Sequence, residues 1–377
     1  MPLTLIGHPF ATVGMGEQLR SHVRACVAAG LAPRVLDIFG HAARTDPEHL
    51  TLVDPRETRA LGDGIRVFHL NGDEIDRARE RLEQLGQAFG GGHNVIVPAW
   101  ELPRYPEPWA ARLRGFDEVW ALSGFIGSAL LTAGIESVPI GQPVEPPPGY
   151  LLPRRHFGIR ESAFAMLAAV DLTSHAARKN PEAVLALWDA LRGADPFADI
   201  QLVLKVKEGD AAAEPWAAEL RERVPEAVVI GAPLAASEMR SLIAACDCFV
   251  SLHRAEGFGR GLGEAMALGR LALGTGWSGN LDFMTEANAA LVRHDLVAVA
   301  EGAYPHAAGQ HWAEPDVAHA AELVRAAIAD PDAARARAMR GRREVRLGYS
   351  DRAVGLRILA RLEAIAAQIG AGVDRAA

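Results

Sequence analysis

The 377-residue sequence predicts an α/β protein of two domains, each built on a parallel sheet. Three observations carry this. Residues 251–283 read as the end of an apolar strand, a loop with glycines at 257, 259, 261 and 263, a helical stretch around Glu264 stopped by Gly269, and a second strand, Leu271–Thr275, opening onto the turn 276–280. Strand, glycine loop, helix, strand is a parallel βαβ unit. The same alternation opens the chain, with an apolar strand at 3–7, a helix over 17–29 and a second strand at 34–38. Between the two halves, GQPVEPPPGYLLPRRHFG at 141–158 is proline-rich and without periodicity, which marks an interdomain linker. A chain of this length also exceeds an ordinary single domain.

In order, Leu19, Val23, Cys26 and Val27 give the first helix its apolar period, and Gly30 caps it. The turn holding Gly14 and Gly16 falls between the first strand and this helix. Residues 40–64 are polar and rich in Pro, Asp and Gly, and read as a flexible insertion. Further strands are expected at 65–70, 94–98, 116–123 and 137–141, with a charged helix at 80–89 and another starting near Gly124, capped by Ser123. Trp100 and Glu101 follow the fourth strand, at an edge where substrates bind. After the linker, strands are expected at 164–171, 200–207, 227–231 and 248–252. Arg178 and Lys179 precede a helix that runs through Trp188 and Leu191, a cationic pair suited to a diphosphate. Lys205 lies on an apolar run, facing a nucleotide or, more often for such a lysine, snorkelling to the surface. From Val317 the chain is Ala- and Arg-rich helix.

Composition narrows the function. At 49% hydrophobic and 23% charged residues, a globular protein is expected. A net charge of −8 argues against a nucleic-acid binder and leaves room for a local basic cleft. Cys26, Cys246 and Cys248 match neither a disulfide framework nor zinc spacing, and read as small buried residues in a reducing cytoplasm. The start, MPLTLIGHPF, lacks a basic region before an apolar stretch, so no signal peptide is expected, and no run of about 20 apolar residues suits a membrane span. Ala and Arg abundance over Lys fits a GC-rich bacterial genome.

The glycine loops should lie at carboxyl ends of strands, where open α/β sheets bind ligands. Glycines permit close backbone approach, and the following helix start favours an anion. Glu256 and Glu264 flank the first loop. Carboxylates beside an anion site make sense if they accept hydrogen bonds from hydroxyls, as on sugars and ribose. A glycine-rich βα turn of any Rossmann-like protein is the alternative.

The pattern E-G-F-G-x-x-x-x-E, followed by G-x-x-x-x-x-T-x-x-S-G-N, resembles the donor site of retaining GT-B glycosyltransferases of the large family four. The resemblance implies a GT-B fold: two Rossmann-like α/β/α domains facing a central cleft. Its implied divisions are an acceptor-side domain at 1–145, a linker at 146–160, a donor-binding domain at 161–350 and a helix at 351–377 crossing back to the first domain. It implies that Glu256 faces the transferred sugar, that Glu264 faces the ribose, and that Gly257, Phe258, Gly259 and Arg260 cradle the diphosphate with their backbone. D-x-x-S-x-x-x-R-K-N-P assigns Lys179 the main diphosphate contact and Arg178 a helping one; Ser174 stands where other members carry a further Arg. Gly14 and Gly16 would face the donor phosphates, or form an ordinary βα turn. W-E-L-x-x-[FY]-P and W-A-E-P-D, at 100–106 and 312–316, resemble a bacterial subset of the family. There Trp100 and Glu101 would contact the acceptor, or be a packed Trp with a capping Glu. W-A-E-P-D is expected to be structural.

The implied activity moves a sugar from a nucleotide-diphosphate sugar to an acceptor hydroxyl with retention, in polysaccharide or glycoconjugate synthesis. Glu256, Lys179 and Glu101 are the candidate catalytic residues. Charge stabilisation would come from Lys, Arg and loop amides, so neither a D-x-D motif nor a metal or other cofactor is expected. The partners implied are the donor and a glycan or lipid-linked acceptor, with no nucleic acid, at a cytoplasmic site that allows peripheral association with the inner membrane face. Two alternatives are a GT-B sugar-nucleotide epimerase and a non-catalytic nucleotide-sugar-binding partner protein. A dinucleotide oxidoreductase lacks its G-x-G-x-x-G after the first strand.

Overall fold

The computed structural model describes residues 2–40, 42–171, 175–207, 220 and 222–376. The chain divides into two compact units, Met1–Glu145 with Leu347–Ala377, and Pro146–Arg346. The proline-rich stretch from 146 therefore groups with the second unit.

In the first unit, β1 (Leu3–Gly7), β2 (Arg34–Asp37), β3 (Ile65–Phe68), β4 (His93–Ile96), β5 (Glu118–Ala121) and β6 (Val138–Pro139) form one parallel sheet in the order β2-β1-β3-β4-β5-β6. The strands read as apolar runs because helices cover them, and β1 and β3 are buried along their whole length. The first helix is Gly14–Ala28, three residues earlier at its start than its apolar period suggests. Gly14 and Gly16 thus lie in its first turn and not in a loop. Only glycine fits at 16, where a Cβ would stand 2.2 Å from the Ala11 carbonyl oxygen; at 14 the space is open.

Two expectations are corrected here. The charged helix is Ile75–Gln84, not 80–89, because Ile75, Ala78 and Leu82 are the residues that reach the core. The 40–64 stretch is no unstructured insertion. It holds the helix Pro47–Val53, with Asp46 accepting from the Glu48 amide at 2.8 Å and Pro47 at the first helical position. Ser123 caps Gly124–Thr132 as expected, accepting from the Ile126 amide at 3.1 Å.

The last helix, Asp351–Ala376, belongs to this first unit. It lies so close to Gly14–Ala28 that a Cβ on Gly355 would stand 2.1 Å from the Ala25 carbonyl oxygen. Arg357 donates to the Ile140 carbonyl at 2.8 Å, and Arg361 pairs with Glu118. Among the described residues no helix is long and apolar enough to cross a membrane.

In the second unit, β7 (Phe164–Asp171), β8 (Ile200–Lys207), β9 (Val228–Ile230), β10 (Cys248–Ser251), β11 (Leu271–Thr275) and β12 (Ala290–Val292) form a parallel sheet in the order β12-β11-β10-β7-β8-β9. One face packs on helices Pro181–Ala194 and Val317–Ala329 through Trp188, Leu191, Leu202, Leu204, Val250, Leu273 and Val324. A separate antiparallel hairpin, β13 (His294–Ala298) with β14 (His311–Pro315), carries the W-A-E-P-D segment. Cys26, Cys246 and Cys248 are all buried and unpaired as disulfides.

Two histidines lie in the core of the first unit with rings 5.0 Å apart. His22 hydrogen-bonds the Gly141 carbonyl at 3.0 Å and His69 meets the Gln18 amide at 3.3 Å. Burial pushes His22 down to about 4 and His69 well below its ordinary value, so both are neutral when folded. The unfolded chain protonates them near 6.5. It therefore binds more protons than the folded chain between about 4 and 6.5, and stability falls as pH drops through that window. Thermal unfolding followed from pH 7 to 4.5 should show this fall, and the double variant His22→Gln, His69→Gln should make it shallower, with His49 and His253, also lowered by burial, supplying the rest. An equal slope in the variant would contradict the assignment.

Candidate functional site

In the second sheet the strand order turns back between β10 and β7, the position where open α/β sheets leave a crevice at the carboxyl ends of two strands. The segments leaving these strands are those singled out in the sequence. The segment after β7 reaches Arg178 and Lys179 on a four-residue helical turn, Ala176–Lys179. Ser174 lies outside the described residues. His175 (φ 52°) and Asn180 (φ 53°) bound the turn in the left-handed region. Such positions cost about 1–2 kcal/mol each for most residues, less for Asn, and persist only when surroundings hold them.

The segment after β10 carries Glu256. Its carboxylate lies 2.5 Å from the Lys179 Nζ and 3.3 Å from the Arg178 Nη1. Burial alone would raise this carboxyl; the charge of Lys179, then that of Arg178, together with the Lys179 hydrogen bond, outweigh burial and hold it at about 2. Arg178 is itself buried and donates to the Ala255 carbonyl at 2.9 Å. One anion is thus gripped by two cations from the neighbouring strand's loop.

Gly257–Gly259 then leads into the helix Arg260–Ala267. Gly259 takes φ 84°, and a Cβ there would stand 2.8 Å from that of Asn280. The Phe258 side chain is core, against Phe283, so only its backbone faces outward. On the helix, Glu264 pairs with Arg260 one turn earlier, the Arg260 Nε standing 3.0 Å from the Glu264 Oε1. The two carboxylates are therefore each held by a cation from this site.

A third loop, Ser278–Asn280, fixes the second. Ser278 Oγ accepts from the Glu256 amide at 2.8 Å, and the Gly279 amide donates to the Glu256 carbonyl at 2.9 Å. Beneath them, buried His253 bonds Asn280 at 3.1 Å, Asn280 donates to the Thr275 carbonyl, and Thr275 donates to the His253 carbonyl at 2.6 Å. Burial lowers the His253 value, so it serves here as a neutral bridge.

Sequence reasoning did not find Arg254. It donates to Glu314 of the W-A-E-P-D segment at 2.6 Å and to the Ala177 carbonyl at 2.7 Å. Glu314 is 60 positions away, so no local pattern could reveal the pair. Lys205 is half-buried and donates to the Val206 carbonyl at 2.9 Å.

The other expected site residues, Gly14, Gly16, Trp100 and Glu101, belong to the first unit. Trp100 is 1% exposed, donates to the Arg104 carbonyl at 2.9 Å and stacks edge-on with Tyr105 and Trp109. It is the packed Trp of the two readings, and offers no ring face to an acceptor. Glu101 beside it is half-buried. A D-x-D sequence, not expected, does occur: Asp330-Pro331-Asp332. Asp330 accepts from the Ala333 amide at 2.9 Å, which makes it a helix start.

Residues 170–304 match the family model described as glycosyl transferases group 1, a span that contains the whole of this constellation except Glu314. No curated protein matches the chain. Several solved structures do. HepE of Anabaena, solved with UDP and glucose, aligns over 97% of this chain and 100% of its own with a TM-score of 0.67 at 14% identity. Sucrose-phosphate synthase from Thermosynechococcus elongatus aligns over 98% and 100%, with a TM-score of 0.69 at 16% identity. A glycosyltransferase from Rickettsia africae aligns over 97% and 98%, with a TM-score of 0.68 at 14% identity. The chain has the GT-B fold.

In this fold the two glycine loops are each other's wall. A Cβ on Gly279 would stand 1.9 Å from the Gly257 carbonyl oxygen. Gly279→Ala should therefore separate the loops and destabilise the protein by about 2 kcal/mol. Gly14→Ala, in open space at a helix start, should be neutral or slightly stabilising. Urea unfolding midpoints check both, and an unchanged midpoint for Gly279→Ala would refute the packing argument.

Proposed function

We propose that this chain is a retaining, metal-independent glycosyltransferase of the group 1 type, moving a sugar from a nucleotide-diphosphate sugar to an acceptor hydroxyl. The observation that carries the reading is the grip of Lys179 and Arg178 on Glu256 beside the loop Gly257–Gly259, with Glu264 following on the helix. Few other chemistries need cations, a helix start and carboxylates together. The cations and amides suit the diphosphate, and the carboxylates suit hydroxyls. HepE, bound to UDP and glucose in the same fold, supports a donor of that class.

In this reading Lys179 meets the diphosphate and stabilises the charge that grows on it as the bond to the sugar breaks. Arg178 holds the Ala255 carbonyl and adds charge from below. Backbone at Gly257, Phe258, Gly259 and Arg260 approaches the phosphates. Glu256 meets the hydroxyls of the sugar and Glu264 those of the ribose. The diphosphate competes with Glu256 for Lys179, so donor binding frees the carboxylate as it engages the cation. Glu101 contacts the acceptor, and Trp100 fixes the turn that presents it. No side chain is assigned as a general base. Acceptors are glycan or lipid-linked, in bacterial polysaccharide or glycoconjugate assembly at the cytoplasmic side of the membrane.

Thermal unfolding against a panel of nucleoside diphosphates and nucleotide sugars tests the donor site. A ligand at about 100 times its Kd adds about 2.7 kcal/mol of stability, a clear rise in Tm. One nucleoside diphosphate should stabilise the native protein, and Glu264→Ala should lose most of that rise. Absence of any stabilisation at millimolar ligand would sink the reading.

A further inference from the structure

We propose that Arg254 and Glu314 are positioning residues that hold the cationic turn in the orientation that meets a diphosphate, which rests on the donor-site reading above. The turn Ala176–Lys179 is one helical turn long, and each end is a non-glycine residue in the left-handed region. It has little regular structure of its own to fix Lys179. Arg254 supplies the missing support at three points. Its backbone amide donates to the Arg178 carbonyl at 2.8 Å, its Nη1 donates to the Ala177 carbonyl at 2.7 Å, and its Nε and Nη2 engage the two Glu314 oxygens at 2.6 and 3.1 Å. The planar guanidinium suits this double task, since one edge can pair with a carboxylate while another donates to a carbonyl.

Glu314 is anchored in turn. It stands on β14, the Ala313 amide donates to the Arg254 carbonyl at 2.9 Å, and the Asn180 side chain lies 3.4 Å from Glu314 Oε1. Arg254 also lies over the Trp312 ring, 5.5 Å from its centroid. The hairpin reaches the turn at a second point, where the Tyr304 ring stands 4.8 Å from that of His175. The W-A-E-P-D hairpin is thus a brace behind the phosphate-binding turn, and Arg254 is the link. Arg254 precedes Glu256 by two residues, so one loop both presents the sugar-facing carboxylate and props the cation opposite it.

Arg254 could instead act by its own charge on the phosphates, and the two roles predict opposite signs. Glu314→Gln leaves the Arg254 charge without its counter-ion. A direct electrostatic role would make diphosphate binding tighter, whereas positioning makes it weaker. The measurement is the affinity of native protein, Arg254→Met, Glu314→Gln and Lys179→Ala for uridine, guanosine and thymidine diphosphates by calorimetry, with the matching nucleosides followed by ligand-observed NMR. The expected result is a loss of about tenfold in diphosphate affinity for Arg254→Met and for Glu314→Gln, the scale of one charged hydrogen bond, with nucleoside binding unchanged. Adding Arg254→Met to Lys179→Ala should cost less than it does alone, because it acts through Lys179. Tighter binding by Glu314→Gln, equal losses for nucleoside and diphosphate, or native affinity in both variants would overturn the inference. If native protein binds a diphosphate and Lys179→Ala does not weaken it, the donor-site reading fails first and takes the inference with it. If Arg254→Met does not fold, Arg254→Lys, which keeps charge and bulk but not the fork, replaces it: weaker diphosphate binding supports the inference, and native affinity overturns it.

Discussion

The second unit's site depends on one largely buried carboxylate. Glu256 is taken out of water by the two glycine loops, which raises the cost of its charge, and only Lys179 and Arg178 make that charge tolerable. The three residues come from loops on adjacent strands, so the ion pairs also tie β7 to β10 at their carboxyl ends. Removing either side would leave a buried charge unmatched, which typically costs about 3–5 kcal/mol. The site is therefore charged and balanced before any ligand arrives.

Everything around that carboxylate serves its placement. Ser278 and Gly279 fix the backbone on both sides of Glu256, and His253, Asn280 and Thr275 close a neutral network beneath it. The loops meet so closely that neither Gly259, against Asn280, nor Gly279, against the Gly257 carbonyl, has room for a side chain. A site built this way holds its loop backbone in fixed relation to the charged groups. In the proposed reading the amides meet charge that develops during a reaction without reorienting, while Lys179 exchanges Glu256 for the diphosphate.

Much of this was legible in the sequence, and the limits are physical. Buried parallel strands announce themselves as apolar runs, so β1, β7, β8 and β11 match their expected spans. Helix starts were harder. Gly14–Ala28 and Arg260–Ala267 begin inside glycine-rich turns, where propensity points to a loop but the sheet edge supports the first turn. Asp46-Pro47 is a cap signal that polar composition hid. The Glu256 and Lys179 pair could be guessed because each sits in its own motif. Arg254 and Glu314 could not, since their meaning lies in a contact across 60 positions. Trp100 shows the converse limit: its position at a strand end suggested a ligand contact, and packing against Tyr105 and Trp109 claimed the ring.

The most direct test of the account is a crystal structure of the protein with the nucleoside diphosphate it binds. The account predicts phosphate oxygens within hydrogen-bond reach of Lys179 Nζ and of the backbone at 257–260, with Glu264 on the ribose hydroxyls and the Lys179–Glu256 pair opened. A diphosphate bound elsewhere, with Lys179 still closed on Glu256, would contradict it.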